Sequence, residues 1–369
     1  MKTMGSLITQ GATQALLIIS SFVYQLSAVA EDTPRYAVDP SWPKPLPNDW
    51  SMGQASGVAI DHHDHIWVIH RPASACTTEQ SQPGGVIMKS KSCRPAPPVL
   101  KFDQEGHLLN SWGGPGEGYD WPEREHGLTI DLRGFVWIGG NGTSDGQYLK
   151  FTTDGHFVLQ IGQSGPLTNS SDVTRLGQPA DADIDIQARE VYFADGYHNH
   201  RVIVFDSETG RYKRHWGAYG NSPTDVKIGQ YNPVSPQFGN PVHCVRIARD
   251  GLVYICDRAN NRIQIFNKDG TFIRQFVIGE DTKSSGSTWD LDLWIDPMQS
   301  SLFHADGTNS KVRILRRESG RVTSEFGRGG DKPGEFHRLH NLALDSAGNL
   351  YTTEVDTGNR AQKFRLIRR

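Results

Sequence analysis

Short apolar segments alternate with polar turns along most of this chain. The clearest copy of the pattern, 241–277, has four segments rich in β-branched and aromatic residues, separated by polar turns such as RDG (249–251) and NKDG (267–270). Segments of this length and composition, bounded by Asp, Asn and Gly, are typical of β-strands joined by tight turns. The unit therefore predicts four consecutive strands with few helices.

Six copies of this unit can be aligned between residues 56 and 366, and the last copy stops one strand short. Repeated four-stranded units of about this length are typical of β-propellers, which close radially and leave only short strand edges. We therefore predict an all-β fold, a six-bladed propeller of four-stranded antiparallel blades. The segment Tyr36-Ala37-Val38-Asp39 is expected to supply the missing outer strand of the last blade.

The N-terminal thirty residues differ in composition from the repeats. Lys2 precedes the apolar run 15–26, and Ala28-Val29-Ala30 follows it, which is the pattern of a signal peptide with a small-residue cleavage site. The run is short for a membrane span, although an uncleaved anchor is the alternative. We expect residues 1–30 to be a signal peptide cleaved near Ala30, and residues 31–369 to form one domain. The mature protein would be secreted or periplasmic, with no membrane contact.

The charge balance of the chain argues against a nucleic-acid partner. The formal net charge is −3 over 369 residues, so there is no basic excess that would indicate a nucleic-acid partner. We expect a monomer that acts on a small molecule or peptide.

The four cysteines are even in number and all lie beyond the predicted signal peptide. Cys244 and Cys256 are symmetric about Asp250, so a hairpin would place them opposite each other. Cys76 and Cys93 bracket a polar insertion in the first copy, and a bridge there would be worth ~3 kcal/mol on the loop-entropy model. Two disulfides are favoured over four buried thiols, and they agree with export.

Three histidines occupy the same position in alternate copies, in the strings EHGLTID (125–131), VHCVRIA (242–248) and LHNLALD (339–345). Equivalent residues on alternate blades of a ring converge on its axis. A lone histidine is more often structural, but the corresponding positions of the other three copies are not histidine. Three imidazoles with a fourth position open are typical of catalytic zinc. The predicted ligands are His126, His243 and His340, and the intervening positions are Ser56, Ala180 and Trp289.

The units resemble NHL repeats, and residues 35–369 resemble the peptidyl-α-hydroxyglycine α-amidating lyase family. That resemblance implies a six-bladed propeller with zinc on its axis, held by the three histidines. It also implies a lyase that cleaves a carbinolamide C–N bond and releases an amide and glyoxylate. Tyr197 in DGYHNHR (195–201) matches the family's catalytic tyrosine, and Arg71 in WVIHR and Arg258 in DRANNRIQIF match its functional arginines.

Residue chemistry is compatible with these roles. Tyr197 could accept and return a proton, because a metal and an arginine nearby would both favour its phenolate. Arg71 and Arg258 suit a substrate carboxylate through forked hydrogen bonds. The alternatives are that Tyr197 packs against the channel wall and that the arginines form structural salt bridges, such as Arg258 with Asp257.

Two positions depart from the family. Asn341 replaces the aspartate that follows the third histidine and helps bind a structural calcium, so calcium binding is expected to be weaker here. Arg338 replaces a methionine and adds a cation near the pocket.

The histidine pattern and the resemblance together predict a zinc-dependent lyase that acts on a carboxylate-bearing carbinolamide, with calcium as a second, structural cofactor. A metal-dependent hydrolase or lyase for another oxyanion-bearing substrate, and a non-enzymatic propeller that binds a partner, are the alternatives.

Overall fold

The computed structural model describes residues 33–78, 88–89, 93–226 and 231–367. The predicted signal peptide, 1–30, lies outside the described residues. Within these ranges the chain forms six four-stranded antiparallel sheets, the blades of a propeller, which we number in chain order. The predicted fold is confirmed, including the number of blades.

The first strand of each blade is the innermost and the fourth is the outermost. Blade 1 has strands Gln54–Ile60, Ile66–Arg71, Val99–Phe102 and Leu108–Trp112. Blade 2 has Glu125–Ile130, Val136–Gly140, Gln147–Phe151 and Phe157–Gly162. Blade 3 has Pro179–Asp185, Glu190–Asp195, Arg201–Asp206 and Tyr212–Trp216.

The remaining blades repeat this order. Blade 4 has strands Val242–Ile247, Val253–Asp257, Arg262–Phe266 and Phe272–Val277. Blade 5 has Asp290–Leu293, Ser301–Asp306, Lys311–Arg316 and Val322–Phe326. Blade 6 has Leu339–Leu344, Leu350–Glu354, Arg360–Ile367 and, from the other end of the chain, Arg35–Asp39.

Blade 6 closes the ring with the N-terminal strand. Arg35–Asp39 pairs antiparallel with Arg360–Ile367, with Tyr36 opposite Leu366. The Tyr36 side chain packs against Phe326 of blade 5, at a ring-centroid distance of 5.5 Å. The two chain ends therefore share one sheet, as the missing strand of the last repeat predicted.

The hydrophobic core consists of six clusters, and each lies between two neighbouring blades. Because the strands alternate, each blade presents one face to the preceding blade and the other to the next. The cluster between blades 3 and 4, for example, contains Val204, Trp216, Val242 and Phe266. This packing holds the first strands in a ring around the axis, with their N-terminal ends at the same face.

Both predicted disulfides are confirmed. Cys244 and Cys256 are directly opposed on the first two strands of blade 4, with Cα atoms 4.8 Å apart. Cys76 and Cys93 are 5.6 Å apart at Cα and join the two ends of the blade 1 insertion.

Short strands and 3-10 helices lie in the segments that connect the main strands of the blades. Two-residue strands pair Trp50–Ser51 with Arg94–Pro95 and Thr77–Thr78 with Met88–Lys89. Short 3-10 helices span Pro47–Asp49, Pro72–Ser74, Ala218–Gly220 and Arg258–Asn260. In the described part of the chain, no helix has the length and apolar character needed to cross a bilayer.

Candidate metal centre

The three histidines lie near the start of the first strands of blades 2, 4 and 6. Each lies where the pairing register between the first and second strands shifts, for example between Val242 and Cys244 in blade 4. A bulge of this kind turns a side chain away from the regular alternation. Ser56 in blade 1 and Ala180 in blade 3 occupy the same kind of shift, so the positions aligned in the sequence are also equivalent in space.

The three imidazoles converge on the axis. Their ring centroids are 5.2 Å apart for His126 and His243, 4.7 Å for His126 and His340, and 4.9 Å for His243 and His340. One nitrogen from each ring lies within 4.8 Å of the others, and all three side chains are buried. Three ring nitrogens at this spacing can face one ion.

Each histidine is oriented by an oxygen that accepts a hydrogen bond from its Nδ1. His126 donates to the Ala180 carbonyl at 2.7 Å, His243 to the Trp289 carbonyl, and His340 to the side-chain oxygen of Asn341. A carbonyl oxygen can only accept, so each Nδ1 carries the proton and each Nε2 has a free lone pair. Metal-binding histidines are commonly fixed in this way.

Burial keeps these rings neutral. It lowers the pKa of His126 and of His243 well below the usual histidine value, and lowers the pKa of His340 to about 3. Smaller contributions come from neighbouring histidines and from the cations Arg71 and Arg258. Neutral imidazole is the form that binds a metal ion, so the site needs no proton loss at neutral pH.

The Tyr197 hydroxyl lies among the histidines. Its oxygen is 3.1 Å from Nε2 of His126 and 3.0 Å from Nε2 of His243, and it accepts a hydrogen bond from Nη1 of Arg258 at 3.1 Å. One hydroxyl proton can satisfy only one of these two lone pairs. The cluster therefore has more acceptors than donors, and this imbalance fits a bound cation.

A buried carboxylate holds the loop that carries Tyr197. Asp195 accepts hydrogen bonds from the backbone of Gly177 at 2.6 Å, from Asn199 at 2.8 Å and from Nε of Arg201 at 2.8 Å. At Gly196, a Cβ atom would overlap the backbone of Val242, so glycine allows this loop to approach the strand of His243. The repeat pattern did not indicate these supporting roles, although Asp195, Gly196, Asn199 and Arg201 all lie in the DGYHNHR string.

Arg258 is held beside Tyr197 by stacking. Its guanidinium lies 4.2 Å from the ring centroid of Trp289, the residue whose carbonyl accepts from His243. Asp257, considered above as its salt-bridge partner, instead pairs with Arg262 at 2.7 Å and also accepts from the backbone of Gly239.

Arg71 is buried on the opposite blade. Its Nε donates to the Glu125 carbonyl at 3.0 Å, next to His126, and its Nη1 donates to Gln54 at 2.6 Å. Burial, and secondarily the charge of Arg124, lower the pKa of Arg71 to about 10, so it remains a cation at neutral pH. Gln54 is a further neighbour of the site that the repeat pattern did not indicate.

The two positions that depart from the family have defined partners. Arg338 pairs with Asp356 at 2.9 Å, and its guanidinium lies 5.6 Å from the Trp289 ring. Asn341 accepts from His340 and donates to Asp290 at 3.0 Å, while Asp290 is also bound by Arg246. Because a guanidinium already binds the adjacent carboxylate, the surroundings of Asn341 do not fit a calcium ion.

Comparison with known proteins agrees with the repeat pattern. Residues 242–266 match the NHL repeat family. The chain is 23% identical to a peptidylglycine alpha-amidating monooxygenase from Rattus norvegicus, over 85% of this chain and 30% of the rat protein. It is also 23% identical to a probable peptidyl-alpha-hydroxyglycine alpha-amidating lyase from Caenorhabditis elegans, over 58% of this chain and 56% of the worm protein. The chain thus spans under a third of the length of the rat relative.

Solved structures show similarity of fold alone. A WD40 β-propeller domain of Doa1 superposes with a TM-score of 0.51 at 10% identity, covering 90% of this chain and 97% of that domain. A streptogramin B lyase superposes with a TM-score of 0.50 at 12% identity, covering 90% of this chain and 98% of the lyase.

Proposed function

We propose that this six-bladed NHL-type propeller, which resembles the peptide-amidating enzymes, is an exported zinc-dependent lyase. Its substrate would be a peptidyl-α-hydroxyglycine or a similar carbinolamide that bears a carboxylate. The observation that supports the proposal most strongly is the convergence of three Nε2 lone pairs, each set by an acceptor at Nδ1.

The donor set favours zinc among common metals. Imidazole nitrogens suit zinc, whereas calcium and magnesium prefer oxygen ligands. His126, His243 and His340 would hold the ion through Nε2. A bound zinc would supply Lewis acidity that polarises a substrate oxygen.

Tyr197 would transfer the proton that the reaction requires. The C–N bond of a carbinolamide breaks when its hydroxyl loses a proton and the oxygen electron pair forms the carbonyl of glyoxylate. The departing nitrogen gains a proton and becomes the amide, so no oxidant, reductant or water is consumed. Arg258 donates to the Tyr197 oxygen and would stabilise its phenolate when Tyr197 accepts the substrate proton.

The arginines would orient the carboxylate of the substrate. Arg258 is fixed by stacking on Trp289, and its Nε is buried without a hydrogen-bond partner among the described residues. A substrate oxygen would satisfy this donor. Arg71 would add positive charge from the opposite blade.

Metal analysis and product release together test the proposal. The purified full chain should contain about one zinc per molecule, which His243→Ala loses and the surface control His107→Ala retains. With an N-acyl-α-hydroxyglycine, the zinc-loaded protein should release glyoxylate and the amide in equal amounts. Zinc-loaded protein that releases none would disprove the lyase assignment, and a chain that binds no zinc would favour a non-enzymatic propeller.

A second candidate reaction is hydrolysis or elimination on another small oxyanion. Arg338 supports it, because this guanidinium lies near Trp289 beside the proposed carboxylate site. Export is also part of the proposal, and the two disulfides support an oxidising compartment. Turnover of esters or lactones without glyoxylate release from carbinolamides would favour this second reaction.

A further inference from the structure

A largely buried arginine lies on the same inner strand as His243. Arg246 lies three residues after His243 on the first strand of blade 4. Its guanidinium bridges two buried carboxylates on neighbouring blades, Asp181 of blade 3 through Nη1 and Asp290 of blade 5 through Nη2 at 3.0 Å. It also lines a cavity of about 270 Å³ that continues along the first strands beyond this layer.

The same carboxylate is connected to the third histidine. Asp290 accepts from the side-chain nitrogen of Asn341 and from the backbone of Leu342, each at 3.0 Å, as well as from Arg246. All of its partners are donors, so Asp290 acts as an acceptor throughout. A negative charge on Asp290 is favoured by these donors and by the guanidinium of Arg246 beside it.

This arrangement determines the orientation of the Asn341 amide. Because the NH₂ group must face the carboxylate of Asp290, the oxygen must face His340. The oxygen accepts from Nδ1 of His340, and the Nε2 lone pair of that ring is then directed at the site. The other two histidines use backbone carbonyls, so only His340 depends on side chains for its tautomer.

We propose that Arg246 is a resident cation of the channel that replaces the structural calcium implied by the family resemblance. Through Asp290 and Asn341 it positions His340 as a metal ligand. The positioning role rests on the proposed function only in that His340 binds the metal. The replacement of calcium is inferred from a different observation. The Arg246 guanidinium binds the carboxylates of Asp181 and Asp290, which a calcium ion would otherwise need as ligands.

The first experiment tests the positioning role in the full-length chain. Asn341→Leu should weaken zinc binding by about 10- to 100-fold in competition with a chromophoric chelator, the usual effect of removing a partner of a metal ligand. In the zinc-free protein, imidazole ¹⁵N shifts should show His340 protonated at Nδ1 in the wild type and a changed tautomer in the variant.

A matched control comes from the same blade. Asn349 also donates its amide to a carboxylate, that of Asp345 at 2.8 Å, but it lies in the turn after the first strand. Asn349→Leu should leave zinc affinity and the His340 tautomer unchanged. Asn341→Leu protein that binds zinc within twofold of the wild type, with the same tautomer, would overturn the positioning role.

The second experiment tests the replacement of calcium. Millimolar calcium should not change the melting temperature of the wild type, whereas Arg246→Ala should melt lower without calcium and regain several degrees with it. Arg246→Gln, which fills more space without a charge, should show the same calcium dependence if Arg246→Ala does not fold. Arg214→Ala removes an ion pair with Glu190 inside blade 3 and a hydrogen bond to the Lys268 carbonyl of blade 4, both away from the axis, and should gain no calcium response.

The outcomes separate this inference from the lyase assignment. A wild type stabilised by calcium, or Arg246 variants that calcium does not stabilise, would overturn the resident-cation role whatever the reaction. A protein that binds zinc and releases glyoxylate, but tolerates Asn341→Leu, would retain its function and lose the positioning role.

Discussion

Replacing Tyr197 by phenylalanine removes one hydroxyl and leaves the ring in place. That hydroxyl lies 3.1 Å and 3.0 Å from the Nε2 atoms of His126 and His243, and it accepts from Arg258. If Tyr197 only packs against the channel wall, the substitution should have no effect on turnover. If it transfers the proton, turnover should fall sharply while the metal remains bound.

The expected size of this effect follows from the chemistry. A positioned acid or base typically contributes 10²- to 10⁴-fold, which corresponds to about 3–5 kcal/mol of activation free energy. The three histidine ligands and their Nδ1 partners are unchanged in the variant, so zinc content should remain about one per chain. We therefore expect kcat to fall by at least ~100-fold, with a smaller change in KM.

Glyoxylate release under saturating substrate is the assay, with zinc measured on the same samples. Tyr219→Phe is the matched control, because the Tyr219 hydroxyl also accepts from an arginine, Arg262, at 2.9 Å in blade 4. Tyr219→Phe should retain wild-type kcat. A Tyr197→Phe protein with kcat within about threefold of the wild type would refute proton transfer by this residue.

Three other predictions concern stability and binding. His304 is fully buried, and both of its ring nitrogens are unpaired among the described residues. Burial lowers its pKa to about 3, so the folded protein keeps this ring neutral. The unfolded chain binds a proton here as the pH falls through the ordinary histidine pKa, and the folded state therefore loses stability. His304→Leu should therefore reduce the loss of unfolding free energy between pH 7.5 and pH 5 by about 2 kcal/mol in urea titrations. The double change of Cys244 and Cys256 to Ala should cost about 3 kcal/mol by the same method, because it opens a loop of 12 residues. Arg258→Met should lower kcat/KM at least ~10- to 100-fold, with a higher KM because a charged hydrogen bond to the substrate carboxylate is lost and a lower kcat because the Tyr197 phenolate loses its donor.

Each of these predictions has an outcome that would contradict it. An unchanged pH dependence in His304→Leu would mean that this histidine does not resist protonation. A cysteine double variant as stable as the wild type would show that this disulfide does not stabilise the protein. An unchanged KM in Arg258→Met would place the substrate carboxylate elsewhere.

The fold could be predicted from local pattern because a propeller repeats one local unit. Alternating apolar residues and Asp-Gly turns define the strands, and the strand missing after Leu366 indicates that Tyr36 must pair with the last blade. Cys244 and Cys256 were predictable for the same reason, since a hairpin register depends on neighbouring residues. Convergence of the histidines followed from their repeat position, because ring symmetry converts equal positions into a shared axis.

The state of each histidine was not predictable from local sequence. The oxygen that fixes His126 belongs to Ala180, and the one that fixes His243 belongs to Trp289, each on the next blade. The guanidinium of Arg246 meets its carboxylates only across three blades, at residues 65 and 44 positions away. The position in the repeat determines which side chains point at the axis, but hydrogen-bond partners depend on the distance and angle between blades, and these arise only when the ring is closed.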